Sequence, residues 1–292
     1  MKLVTFTYQG NTRIGVVVDD NVIDLSLAAP SLPTDMKNFL IAGSDAMATA
    51  MDAQGKIEAA ILMSEVILQA PILNPGKMLA IGLNYADHVK ESGMDMPEHQ
   101  IWFNKQWNSV AGPCDSVDIP SVAPNFIDYE AELCFVIGRT CRHVPKERAH
   151  EVIAAYTCGN DVSVRDWQLR TPQFTIGKSF ETHGPIGPWL VTADEFGNPH
   201  DKDIACYIND EKRQDSNTKH LIFDCYEQIA HLSAAFTLNP GDVIFSGTPS
   251  GVGGAMKPGQ FLKNGDVMRI EIEGIGSLSN TCADKAAVTL ID

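Results

Sequence analysis

The chain has 292 residues, 44% of them hydrophobic, and a formal net charge of −15 from 22 Lys and Arg against 37 Asp and Glu. A surplus of acid on that scale argues against nucleic acid or an anionic membrane as partner, and the length allows one large domain with a smaller one. Seven cysteines, an odd number with no CxxC pair, argue for reduced and mostly buried thiols rather than a disulfide framework or a zinc site.

From Met1 the chain runs directly into strand-like sequence, without a signal peptide, and no apolar run is long enough to span a bilayer. A cytoplasmic location is therefore expected. Residues 1–25 read as an antiparallel meander, with strands at 3–6, 14–18 and 22–25 and turns at Gln9-Gly10-Asn11 and Asp19-Asp20-Asn21. Residues 35–69, rich in Ala, Met, Ile and Leu, predict helices. Pro71 to Gly76 reads as a linker, which places a boundary near residue 72 and leaves a small N-terminal α+β domain. Residues 73–292 hold many short strand candidates: 77–82, 131–138, 154–159, 189–192, 203–209, 242–246 and 267–273. Gly and Pro fill the connections, and only 146–155 and 223–236 read as helices. The expected class is α+β, mainly β, with closed or rolled sheets and no regular βαβ alternation.

Several stretches carry chemistry. Glu130 and Glu132 stand two apart at the head of the apolar run 133–137, so on a strand they project side by side. Two half-buried carboxylates repel; one takes up a proton, or a cation sits between them. The alternative is a solvated strand end. Asp161, in Cys158-Gly159-Asn160-Asp161, is a helix N-cap or a third carboxylate at the mouth of the sheet. Three carboxylates suit a hard divalent cation such as Mg²⁺ or Mn²⁺. His88 and Glu91, three apart on a helical turn, face each other, and the carboxylate would orient the imidazole and raise its basicity. An ordinary surface charge pair has the same spacing. The Gly93 to His99 segment reads as a flap. Gly177-Lys178-Ser179 lacks the upstream glycine of a phosphate-binding loop. Lys178, set among apolar neighbours, either snorkels to solvent or offers positive charge to a developing oxyanion. Finally, residues 238–254 are a turn, a strand and a glycine-rich loop whose N–H groups are able to cradle a carboxylate.

In order and wording these stretches resemble the fumarylacetoacetate hydrolase superfamily. The matching segments are IGLNYADHVKE (81–91), FNK (103–105), DYEAEL (128–133), GNDVSVRDWQ (159–168), GKSFETHGPIGP (177–188), LNPGDVIFSGTPSGVG (238–253) and GDVMRIEIEGIGSL (265–278). The resemblance implies a mixed β-roll core spanning 73–292, a small domain at 1–72 and a homodimer. It implies Mg²⁺ or Mn²⁺ on Glu130, Glu132 and Asp161. It also implies substrate contacts from Arg165, Gln168 and Thr248, and catalysis by His88, Glu91 and Lys178. The expected activity is cleavage of a C–C bond in a β-diketo acid, of acylpyruvate or diketo sugar-acid type, by a water that the His–Glu pair activates. Decarboxylation or tautomerisation of an oxaloacetate-like 2-oxo acid uses the same enolate chemistry and is the alternative. A non-catalytic protein with a structural ion is the third reading. Trp102, Trp107, Trp167 and the flap are the expected selectors of substrate.

Overall fold

Two tight turns fold the first 24 residues back on themselves. In this computed structural model, which describes residues 1–291, strands Lys2–Tyr8, Asn11–Val18 and Asn21–Asp24 form the expected antiparallel meander. Helices Met36–Ile41 and Gly43–Ala53 follow. The helical reading of 35–69 fails beyond Ala53. Ala60–Leu62 pairs with Asn21–Asp24, and Ile67–Leu68 pairs with Lys2–Tyr8. The open edges of the meander capture the β-branched Ile61 and Ile67, so tertiary pairing overrides local preference.

Lys2 and Leu3 also pair with Val191 and Leu190 of strand Gly184–Thr192, which carries the meander into a 12-stranded sheet. Beyond Gly184–Thr192 the order is Ile153–Asn160, Ala131–Ile137, Val243–Phe245, Met78–Gly82 and Ile101–Lys105. A second sheet runs Glu211–Asn217, Asp203–Ile208, Val267–Ile272, Gly276–Lys285, Val117–Pro120. The strand candidates of residues 73–292 all fall on observed strands. Glu211–Asn217 was not anticipated because it is an edge strand with no apolar residue.

Residues 146–155 are not a helix. Lys146–Val152 forms a 3₁₀ run, and the chain is extended from Ile153 onward. Val152 and Ile153 are β-branched, and the strand they lead into is hydrogen-bonded on both sides. The other predicted helix is present as Cys225–Ala235, started by a capping box between Asp224 and Glu227.

Strand Ala131–Ile137 is buried at every position. Its side chains feed two cores alternately: Leu133, Phe135 and Ile137 join the layer shared with the five-stranded sheet, while Cys134 and Val136 join the layer under the N-terminal helices. Glu132 shares the parity of the second set. Six of the seven cysteines are buried free thiols, and Cys114 is exposed. Among the described residues, no helix is long and apolar enough to cross a membrane.

Candidate metal centre and active site

The pairing of two neighbouring strands assembles the acidic centre. Ala131 lies opposite Asn160, and Asp161 N–H donates to the Glu130 carbonyl at 2.9 Å, so Asp161 emerges beside the two glutamates. Oxygen atoms of Glu130, Glu132 and Asp161 lie within 4.8 Å of one another. Their exposures of 6%, 1% and 0% rule out the solvated strand end. Asp161 is not a helix cap either: helix Arg165–Gln168 begins later, after Val164, with no side-chain cap.

Burying charges costs several kcal/mol per ion unless partners compensate. Lys178 Nζ donates to Glu130 Oε2 and to Asp161 Oδ2, each at 2.8 Å, and is 2% exposed, so it does not snorkel. Lys105 Nζ donates to Asp161 Oδ1 at 2.7 Å and to the Lys178 carbonyl. Arg165 Nη1 donates to Glu130 Oε1 at 2.6 Å and to Gln168 Oε1 at 2.9 Å, while its Nε reaches Asp128 Oδ2 at 2.8 Å. Burial alone would raise the Glu130 carboxyl, but Lys178 and Arg165 outweigh it and hold the group well below the usual carboxylate range. The Lys178 ammonium is disfavoured by burial and rescued by Asp161 and Glu130, with a net upward shift.

Glu132 differs from both. Among the described residues it has no ion-pair partner; its Oε2 accepts one hydrogen bond, from Gly247 N–H at 2.6 Å. Burial, then the Asp161 and Glu130 charges, push its carboxyl far upward. Gly247 reaches it only with φ at +103°, and a Cβ there would stand 2.7 Å from Asn84 Cβ, so the position requires glycine. The centre thus gathers four carboxylates, Asp128 included, against three cations, and Glu132 is the one left without a positive neighbour in contact. Three oxygen donors with unbalanced negative charge fit a hard divalent ion.

The His88–Glu91 pair sits on helix Ala86–Ser92, with Nδ1 3.3 Å from Glu91 Oε2. The glycine-rich loop steadies that helix: Gly251 N–H donates to Glu91 Oε1 at 2.9 Å, and Ser250 Oγ donates to Asp87 at 3.0 Å. Thr248, 4% exposed, follows Gly247 at the same mouth. Gly93 caps the helix in the left-handed conformation, and Met94 and Met96 in the flap are exposed. Trp102 and Trp167 pack partly buried against the core, whereas Trp107 is 68% exposed. A cavity of about 710 Å³ lies between Tyr129, Arg213 and Phe261 and includes none of the three carboxylates, so charge rather than cavity size locates this site.

Three participants escaped the sequence reading. Lys105 shares the inward parity of Phe103 on strand Ile101–Lys105, and an inward lysine demands a carboxylate. Asp128 continues the alternation of Glu130 and Glu132; it accepts from Arg165 Nε and from Gly253 and Gly254 N–H at 2.7 and 2.8 Å. Gln214, on the edge strand Glu211–Asn217, gave no local signal.

A rolled mixed sheet that ends in a buried three-carboxylate centre, flanked by lysines and a His–Glu pair, defines a class of enzyme-like fold. The family model described as "Fumarylacetoacetate (FAA) hydrolase C-terminal" matches residues 77–283. The frog protein "Oxaloacetate tautomerase fahd2, mitochondrial" (Xenopus laevis) is 43% identical over 286 residues, which cover 96% of this chain and 89% of that protein. Among solved structures, a fumarylacetoacetate hydrolase from Exiguobacterium antarcticum superposes with a TM-score of 0.87 at 35% identity, covering 98% of this chain and 100% of that one. A maleylpyruvate hydrolase from Sphingobium sp. SYK-6, in complex with manganese(II) and pyruvate, gives 0.78 at 32% identity, covering 97% and 99%. The chain belongs to the fumarylacetoacetate hydrolase superfamily.

Proposed function

We propose that the protein is a divalent-metal-dependent enzyme of small 2-oxo acids that interconverts the enol and keto forms of an oxaloacetate-like acid. The observation that carries this reading is the buried acidic centre, with Glu132 lacking an ion-pair partner among the described residues, beside the His88–Glu91 pair. The similarity to the frog tautomerase supports it. In this reading Glu130, Glu132 and Asp161 hold Mg²⁺ or Mn²⁺, which, when bound, supplies a Lewis acid for the carboxylate and oxo oxygens of the substrate.

The chain's own residues supply the proton chemistry. Glu91 accepts from His88 Nδ1, so the ring proton sits there and Nε2 is left as the base. His88 Nε2 takes the enol O–H proton, the electron pair left on that oxygen forms the C=O bond as the C=C pair moves to carbon 3, and carbon 3 receives the proton back from His88; no co-reactant is consumed. Lys178 places a fixed positive charge where negative charge develops on oxygen. Arg165, held by Asp128 and Glu130, and Thr248 address the acid groups, while Gln168 orients Arg165.

Cleavage of a C–C bond in an acylpyruvate or diketo sugar acid is the second reading. The same dyad favours it, since His88 would take its proton from water, and so does the likeness to the maleylpyruvate hydrolase. A panel of enol-oxaloacetate, acylpyruvates and diketo sugar acids, assayed with Mg²⁺ or Mn²⁺, separates the two. Accelerated loss of the oxaloacetate enol absorbance that chelator removes is the expected result. Acylpyruvate cleavage without tautomerisation would hand the site to the hydrolase reading, and metal-dependent folding with no turnover to a structural ion. The proposal also keeps a cytoplasmic homodimer with a small domain at 1–72 on a catalytic domain at 73–292. Size-exclusion chromatography with light scattering tests the dimer.

A further inference from the structure

We propose that Gln214 is a positioning residue: it fixes the hydroxyl of Thr248 as a hydrogen-bond donor, so that the mouth of the centre accepts a carboxylate. This rests on the 2-oxo acid reading above and names which protein group makes the site select an anionic oxygen.

Gln214 is fully buried, and its amide touches three groups. Its Oε1 accepts from Ala131 N–H at 2.9 Å. Its Nε2 donates to the Pro249 carbonyl at 2.8 Å and to Thr248 Oγ1 at 2.8 Å. Two of these partners have fixed polarity. A backbone N–H only donates and a backbone carbonyl only accepts, so the amide has a single satisfied orientation. Nε2 therefore faces Thr248, and the threonine oxygen is obliged to accept. A hydroxyl that has accepted from an amide keeps its own proton free to donate. Thr248 is 4% exposed and follows Gly247, whose N–H already holds Glu132, so that proton is presented beside the acidic centre. An anionic oxygen satisfies such a donor more strongly than a neutral one.

The placement has structural support on both sides. Gln214 projects from the five-stranded sheet, while Ala131 belongs to the strand that carries Glu132. Gly251 packs so closely on the same edge strand that a Cβ there would lie 1.9 Å from the Arg213 carbonyl. The loop is thus clamped to the strand that aims Thr248.

The test uses the Mn²⁺-loaded protein and oxalate as probe, with binding read by titration calorimetry. Gln214→Met removes the amide without adding charge, and about a 10-fold or greater weakening of oxalate is expected, as for loss of a hydrogen bond to a charged group. Affinity for Mn²⁺ alone, read by electron paramagnetic resonance, stays unchanged. In a Thr248→Val background the same substitution changes oxalate binding by less than about 2-fold, because its effect passes through the missing hydroxyl. Equal losses in both backgrounds, or no loss in either, overturn the inference. So does failure of the wild type to bind oxalate at all. If Gln214→Met does not fold, the side-chain amide NMR signal of Gln214 in the wild type, loaded with diamagnetic Mg²⁺, takes its place. A shift on adding oxalate that disappears in Thr248→Val supports the inference, and a signal indifferent to oxalate overturns it. Oxalate binding that follows this pattern in a protein that does not turn over oxaloacetate would sink the tautomerase reading and leave the inference standing.

Discussion

The two ends of one strand pair bury carboxylates for opposite ends. Ala131–Ile137 and Val243–Phe245 run antiparallel. At one end Asp242, fully buried, accepts from Lys77 Nζ at 2.7 Å and from Asn239 N–H at 2.9 Å, and among the described residues it belongs to no cluster of three metal-ligating groups. At the other end Glu130, Glu132 and Asp161 crowd within 4.8 Å. Burial is the same, and so is the presence of a lysine. Only the second end gathers more negative charge than its fixed cations touch, and like charges so placed raise one another's pKa rather than stabilise the fold. A buried acid with one cation closes a turn; a buried acid among acids is waiting for a ligand.

The largest break in that comparison comes from Glu132→Ala. It should abolish tight Mn²⁺ binding and bring turnover to background while circular dichroism stays native, because the residue contributes one hydrogen bond to the fold. Full activity in chelator would refute the ligand assignment. His88→Ala should follow, with kcat down by about 10²–10⁴ as for loss of a general base and Mn²⁺ affinity unchanged. A variant that kept most of its rate would remove the dyad from the mechanism. Asp242→Ala sits on the other side. It leaves Asn239 N–H and Lys77 without their partner, and the cost should be about 3 kcal/mol in urea unfolding, with Mn²⁺ affinity intact. Weakened metal binding there would show the two ends to be coupled and erase the contrast.

The same contrast explains what was legible in the sequence. Glu130 and Glu132 announced themselves because alternation on a strand is a local rule, and an apolar run behind them implied burial. His88 and Glu91 obeyed another local rule, the helical spacing of three. Gln214 and Lys105 did not announce themselves. Their partners lie 83 and 56 residues away in sequence, across a sheet-to-sheet or strand-to-loop contact that no local pattern encodes. The misread helix at 146–155 has the same cause. Its local composition favours helix, but Ile153–Asn160 gains a full ladder on each side. The carboxylate cluster and the His88–Glu91 contact were legible because they are built on the ends of regular elements; Lys105 and Gln214 were hidden because their partners arrive from elsewhere.

The smallest expected effect concerns a third kind of buried group, an isolated histidine. His183 Nε2 donates to the Asp118 carbonyl at 2.8 Å, while Nδ1 is buried without a partner among the described residues. Burial is the main cause of its low pKa; the Asp118 hydrogen bond opposes the shift, the Lys105 cation adds to it, and the ring is lowered to about 3. In the unfolded chain the same ring titrates near 6.5. Between those values the unfolded state binds a proton that the folded state refuses, so stability falls as pH drops from about 7 toward 3. Between pH 7 and pH 5 this one group should cost about 2 kcal/mol. Urea unfolding of the wild type and of His183→Gln at both pH values measures it. The variant is expected to be less stable at pH 7 but to lose less on acidification. If its loss matches that of the wild type, the acid sensitivity belongs to other groups.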